Sequence, residues 1–138
     1  MGLAIDRSSF TEEEYVYAAS RLRENLLALE MLLQRPEFGR GEPSLGAELE
    51  MSVVGPNAEA LPVNTEILAD SNDPNLQLEL DRFNLEYNLS PVMAEGKPFT
   101  AMRAQLTAAL DELQSQAAVY GGRIIPIGIL PTLHMDRL

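Results

Sequence analysis

Apolar residues between Thr11 and Gln34 recur every three or four positions, which is the period of an amphipathic helix. The stripe consists of Tyr15, Ala19, Leu22, Leu26, Leu29 and Leu33. Thr11 and Glu14 have the spacing of a capping box, and the residue before Pro36 disfavours helical backbone. These signals predict a helix over about 11–34. A second stripe predicts a helix from about Phe99 to Tyr120, ended by Gly121 and Gly122; it contains Phe99, Met102, Leu106, Leu110, Leu113, Ala117 and Tyr120.

Between and after these helices, apolar and polar residues alternate over short runs, which indicates strands. Such runs cover 46–54, 76–80, 83–89 and 123–130, and Pro126 places the last one at a sheet edge or a bulge. Two points stay open: 61–64 is a short edge strand or 65–69 a helical turn, and 76–89 is a hairpin or one bent strand. We predict loops at 35–44 and 91–98 and no further element over 131–138. The order favours an α+β fold, a single domain over 1–138 in which two long helices pack against a small antiparallel sheet.

The first strand carries two carboxylates on one face. Because side chains alternate along a strand, Glu48 and Glu50 point the same way, opposite an apolar row of Ala47, Leu49, Met51 and Val53. The run 83–89 repeats this arrangement, with Asn84, Glu86 and Asn88 on one face. Oxygen ligands on two strands are what a hard cation needs. The alternative is an ordinary solvated face of an amphipathic strand.

Charge and composition narrow the possible partners. The chain has 138 residues, with 10 Lys+Arg and 21 Asp+Glu and a net charge of −11. Such a charge repels nucleic acids and anionic membranes, but a magnesium–nucleotide complex remains possible because the metal inverts local charge. The absence of cysteine excludes disulfides and thiolate chemistry and fits a reducing compartment, so we expect a cytoplasmic location. We assign no role to His134, the single histidine.

Three motifs carry a resemblance to a known family. They are Gly46-Ala-Glu-Leu-Glu50, the 84–91 run Asn-Leu-Glu-Tyr-Asn-Leu-Ser-Pro, and Ile127-Gly-Ile-Leu-Pro131. In this order, with a long helix before the third, they resemble the N-terminal part of the glutamate–cysteine ligase family, in its bacterial carboxylate–amine ligase branch. The resemblance covers about 45–131 and implies a partial glutamine synthetase-like catalytic domain, with a curved antiparallel sheet around a metal–nucleotide site.

The resemblance also implies a chemistry. The family joins an amine to a carboxylate at the expense of ATP, through an acyl phosphate, and its name-giving reaction belongs to glutathione biosynthesis. It implies that Glu48, Glu50 and Glu86 are Mg²⁺ ligands and that Asn88 contacts substrate or supports a ligand. ATP and small amino acids are the implied partners. The family's catalytic domain is several times longer than the matched part, so we expect a C-terminal remainder or a homo-oligomer to complete the sheet, and low activity of the isolated chain.

Two other functions fit the same residues. One is a non-catalytic acidic module that binds a partner chain through exposed sheet edges or helix faces. The other is a divalent-cation-binding domain without chemistry.

Overall fold

A computed structural model describes residues 7–134, and the chain divides into two compact units, 1–42 and 43–138. The first unit contains helix α1 (Glu12–Leu33), within one residue of the prediction at either end. The predicted capping box is present: the main-chain N–H of Glu14 donates to Thr11 Oγ1 at 3.3 Å, and the N–H of Thr11 donates to Glu14 Oε2 at 2.8 Å. These bonds satisfy amides that have no partner within the helix. No residue of α1 is buried.

The second unit is built on an antiparallel sheet. Its strands are β2 (Glu48–Val54), β3 (Leu76–Leu78), β4 (Asn84–Asn88) and β6 (Arg123–Ile125), in the order β3-β4-β2-β6. Strands β3 and β4 pair with Leu78 opposite Leu85, so they form a hairpin and not one bent strand. A separate two-stranded ladder joins β1 (Ser44–Leu45) to β5 (Val92–Met93). Ser44 and both residues of β5 lie in segments predicted as loops, and Leu45 lies between the predicted loop 35–44 and the predicted strand 46–54. Strands of two residues are too short to show a period in the sequence.

The remaining elements are helices α2 (Asn64–Asp70) and α3 (Pro98–Val119). The open question about 61–70 is thus answered by a helix, with one isolated bridge from Ala60 to Val54 before it. Helix α3 has Pro98 in its first turn, where a missing N–H costs nothing, and ends before Gly121, which has a φ of 71°. Both ends agree with the prediction to within a residue.

One face of the sheet and one side of α3 enclose the main core. Its buried members are Met51, Val53, Ile67, Leu76, Leu85, Tyr87, Leu89, Ala109, Leu113, Ala117 and Ile124. The apolar rows predicted for β2 and β4 therefore face the core as expected, and the α+β class is confirmed. The packing differs in one respect: α3 and the short α2 supply the helical residues of this core, whereas α1 buries none. Phe99, predicted in the packed stripe of α3, is 75% exposed.

A smaller apolar cluster closes one end of the opposite sheet face. Val54, Phe83 and Leu130 are buried there, with Ile127 and Leu133 packed against them. Strand β6 stops at Ile125, five residues short of the prediction, because Pro126 lacks the N–H that a sheet ladder needs. Beyond β6 the chain crosses this end of the sheet. The expected absence of a further element holds for 131–134; 135–138 lie outside the described residues.

Candidate functional site

The sheet register brings the predicted site residues onto one face. Glu50 lies directly opposite Glu86, and Glu48 lies directly opposite Asn88. Directly opposed residues of an antiparallel pair have Cβ atoms about 4.5–5.5 Å apart. Adjacent same-face residues along a strand are roughly 7 Å apart at the backbone. Three carboxylates and one amide thus occupy neighbouring positions of a two-by-two array, which we call the acidic face.

The acidic face is open to solvent at one end and closed at the other. Glu48 and Glu50 are exposed, and Glu86 and Asn88 are half-buried. Further along the same face of β2, Ser52 is only 2% exposed and Val54 is fully buried under the smaller apolar cluster. The covered end makes one wall beside the carboxylates, so a ligand has access from the Glu48 end.

Asn88 contacts Glu86, its neighbour along β4 on the acidic face. Its Nδ2 donates to Glu86 Oε1 at 2.6 Å. The strand itself is anchored next to this contact, since the Asn88 N–H donates to the Asn75 carbonyl at 2.8 Å and the Leu89 N–H donates to the Ala47 carbonyl at 2.9 Å. The amide therefore orients Glu86 from a firmly held backbone, which is the kind of support that metal-binding carboxylates receive from neighbouring polar groups.

Among the described residues, no ion pair involves the carboxylates of the acidic face. The ion pairs found in residues 7–134 are Arg7–Glu14 and Arg21–Glu24, both in the first unit. Glu48, Glu50 and Glu86 are thus free of Lys or Arg contacts within that range. Neighbouring like charges repel one another, and a bound cation would remove that repulsion.

The side chains, as placed, do not converge on a single point. Within residues 7–134, no three His, Cys, Asp or Glu side chains are grouped so that they could hold a metal ion together. The donor chemistry and the backbone register suit Mg²⁺, which favours carboxylate oxygens and retains several waters. Ligation by all three would require rotation of glutamate side chains, which is inexpensive for exposed ones.

An open depression lies at the accessible end of the acidic face. It is lined by Gly46, Ala47, Glu48, Asn88 and Leu89 and has a volume of about 380 Å³. This is near the lower end of the roughly 300–1,000 Å³ usual for small-molecule sites. Two predicted site residues, one from each strand, therefore border the concavity.

Among residues 7–134, no helix is both long enough and apolar enough to cross a membrane.

Sequence reasoning missed two polar residues of the same face, Gln77 and Ser52, and placed Asn84 there correctly. Gln77 lies opposite Glu86 on β3, and Ser52 lies opposite Asn84. Asn84 Oδ1 is buried and has no hydrogen-bond partner among the described residues. The alternation of β3 and β4 was visible in the sequence, but the pairing register that aligns Gln77 with the carboxylates was not. His134 is exposed and lies outside this site.

No family model, curated protein or solved structure matches this chain in the comparisons made with each.

Proposed function

We propose that the acidic face binds Mg²⁺ and the phosphates of ATP in a cytoplasmic carboxylate–amine ligase of the glutamate–cysteine ligase type. Glu48, Glu50 and Glu86 serve as metal ligands, and Asn88 holds Glu86 and contacts substrate. The substrates are glutamate or a related amino acid, and an amine.

One observation carries this proposal: the register of β2 and β4 sets Glu50 against Glu86 and Glu48 against Asn88. The family resemblance assigns ligand or support roles to these same four residues, which come from motifs more than thirty positions apart. That the four share one face follows from the burial of the apolar rows of both strands. That they stand directly opposite one another depends on the register, because a shift of two residues would keep the same face and separate the pairs. The second support is that, within residues 7–134, no ion pair is found at these three carboxylates.

The chemistry follows from charge. Glu48, Glu50 and Glu86 would hold Mg²⁺, which would supply positive charge against the phosphate oxygens while the terminal phosphoryl group of ATP is transferred to a carboxylate oxygen of the substrate, with ADP as the leaving group. The amine then displaces phosphate from the acyl group and loses a proton. The chain supplies negative side chains on neighbouring positions of a sheet, and the covered end beside Ser52 limits water on one side.

Calorimetric titration with Mg-ATP, with magnesium alone in parallel, tests the proposal. We expect saturable binding that Glu86→Gln and Glu48→Gln weaken by about tenfold or more, because each removes a charged ligand while keeping the side-chain shape. Asp111→Asn is the matched control, since Asp111 is an exposed acid on α3 that lies outside the acidic face.

Three results would contradict the proposal. A folded chain that binds neither Mg²⁺ nor Mg-ATP would refute it, as would equal affinity in Glu86→Gln and the parent. Binding of magnesium without any ATP dependence would instead support the cation-binding domain without chemistry. Where Mg-ATP binds, release of phosphate dependent on glutamate and an amine tests the ligase reaction.

The second candidate function is an acidic interaction module. The observation that favours it is the solvent-exposed row of leucines on α1, of which Leu22 is 60% and Leu26 is 56% exposed.

A further inference from the structure

Helix α1 has a row of exposed leucines along one side, which we call the seam. Leu22, Leu26, Leu29 and Leu33 follow each other at intervals of four, three and four, and they are between 46% and 60% exposed. This is the spacing of the a and d positions of a coiled coil. By contrast, α3 buries Ala109, Leu113 and Ala117 against the sheet. A helix of 22 residues gains most of its stability in proteins from packing such a face.

A shallow groove lies along one side of this seam on α1. It is lined by Arg23, Leu26, Leu27 and Glu30, which are related as i, i+3, i+4 and i+7. With Leu22 and Leu29 at d positions and Leu26 and Leu33 at a positions, Arg23 and Glu30 are e positions, which flank the seam of a coiled coil. The floor of the groove is apolar, and its two ends carry opposite charges. The seam is thus bordered on this side by a base and an acid that are seven residues apart.

We propose that this seam, Leu22 to Leu33 with Arg23 and Glu30 beside it, binds the same seam of a second copy of the chain in antiparallel orientation. In this pairing Leu26 packs against Leu29 of the second copy, and Leu22 packs against Leu33 of the second copy. Each contact occurs twice because the interface is two-fold symmetric. The seam then consists of four layers, all of them leucine pairs.

Charge selects this orientation and register. In the antiparallel pairing, Arg23 lies beside Glu30 of the second copy, and the reverse contact forms two turns away, giving two ion pairs. A parallel pairing would place Ala18 and Asn25 beside these charges and form no ion pair. An antiparallel pairing displaced by one heptad would place Arg23 beside Arg23 of the second copy, which is repulsive.

The size of the seam predicts weak association. From Leu22 to Leu33 the helix rises roughly 17 Å, so one seam covers less than the roughly 800 Å² per partner of a standard interface. The dimer therefore forms in a concentration-dependent way. The dimer does not involve the acidic face, so Glu86→Gln leaves the dissociation constant of the dimer unchanged. Failure of the dimer proposal can therefore be distinguished from failure of the proposed metal–nucleotide site.

Sedimentation velocity of the full chain from about 1 μM to about 1 mM tests the proposal over the range of weak interfaces. We expect a monomer–dimer equilibrium. Arg23→Glu alone and Glu30→Arg alone each raise the dissociation constant by about tenfold or more, because two attractions become two repulsions. The double variant Arg23→Glu/Glu30→Arg restores association. Glu24→Arg, a reversal on the outer side of the helix, is the control, and circular dichroism verifies that every variant keeps its helix content.

Cysteine pairs test the orientation, since the chain has no cysteine of its own. When Arg23→Cys and Glu30→Cys chains are mixed and oxidised, the proposed antiparallel dimer gives the mixed disulfide. The antiparallel pairing displaced by one heptad gives the Arg23→Cys homodimeric disulfide, and a parallel dimer brings neither cysteine beside another. A chain that is monomeric throughout, a double variant that stays dissociated, or predominant homodimeric disulfides would overturn the proposal. So would a monomer in which Leu26→Cys resists alkylation, because another segment of the same chain would then cover the seam.

Discussion

Replacing Asn64 by alanine should destabilise the second unit, because its side chain links helix α2 to the turn between β3 and β4 and to the first residue of β4. Asn64 is 3% exposed at the start of α2. Its Nδ2 donates to the carbonyls of Asp81 and Asn84, both at 2.9 Å, and its main-chain N–H donates to the Arg82 carbonyl at 3.2 Å. One residue, Asn64, therefore contacts the turn that connects β3 to β4 through its side-chain amide and its main-chain N–H.

The expected loss of unfolding free energy follows from the two carbonyls that lose Asn64 Nδ2 as a donor. Each carbonyl keeps a main-chain donor, the Asn84 N–H for Asp81 at 3.0 Å and the Glu79 N–H for Asn84 at 3.5 Å. The loss is therefore that of two hydrogen bonds at about 0.5–1.5 kcal/mol each, so we expect about 1–3 kcal/mol in Asn64→Ala. Asn64→Asp should be at least as damaging, because it replaces the donor by a charged acceptor facing two carbonyl oxygens. The control is Asn57→Ala, at an exposed turn position, with an expected change within about 0.5 kcal/mol.

Urea unfolding followed by the methyl NMR signals of Leu85 measures the free energy of unfolding of this unit. Leu85 is fully buried on β4, so its signals report the sheet and not α1. Amide exchange along β4 should accelerate in parallel, since the turn that holds the strand is released. A loss of unfolding free energy no larger than that of Asn57→Ala would show that other donors satisfy both carbonyls and that the Asn64 side chain makes no net contribution to stability.

Three further predictions concern packing, pH and the site. Gly122→Ala should cost about 1–2 kcal/mol in urea unfolding, because its Cβ would lie 2.8 Å from a leucine methyl group and 3.3 Å from a main-chain oxygen; Gly128→Ala, with open space, should be neutral. Burial raises the pKa of Tyr87 above 10.0, as does its hydrogen bond to Asp73, so its stabilisation is complete below pH 10 and is lost as pH rises through the folded pKa. Stability measured from pH 7 to 11 should fall less in Tyr87→Phe, and an identical fall would refute this. Asn88→Ala should weaken Mg²⁺ binding in calorimetry by about tenfold, less than loss of a ligand does, and unchanged affinity would contradict its support role.

Much of the acidic face was visible in the sequence because it depends on local alternation. Glu48 and Glu50 share a face in any β-strand, and so do Glu86 and Asn88, whatever surrounds them. The distance between the two pairs is different in kind. It depends on which strands are neighbours and on their register, and these are decided by long-range packing of Met51, Leu85 and the rest of the core.

The same contrast holds for the errors. Strand β6 was predicted too long because apolar residues continue after Pro126, but those residues serve a second cluster on the opposite face of the sheet. Helix α1 was predicted at the right place, since capping and periodicity act within a few residues. Periodicity shows that a helix has an apolar side, but it does not identify the surface that covers that side.

By itself, the sequence determined the existence and type of the long elements, the two faces of β2 and β4, and the negative charge of the chain, because each arises from neighbours along the chain. Only the tertiary structure decided the order β3-β4-β2-β6, the alignment of Glu50 with Glu86, the clamp made by Asn64, and the exposure of the α1 leucines. These features arise from contacts between residues distant in sequence, whose pairing is selected by the burial of the whole core and not by any single segment.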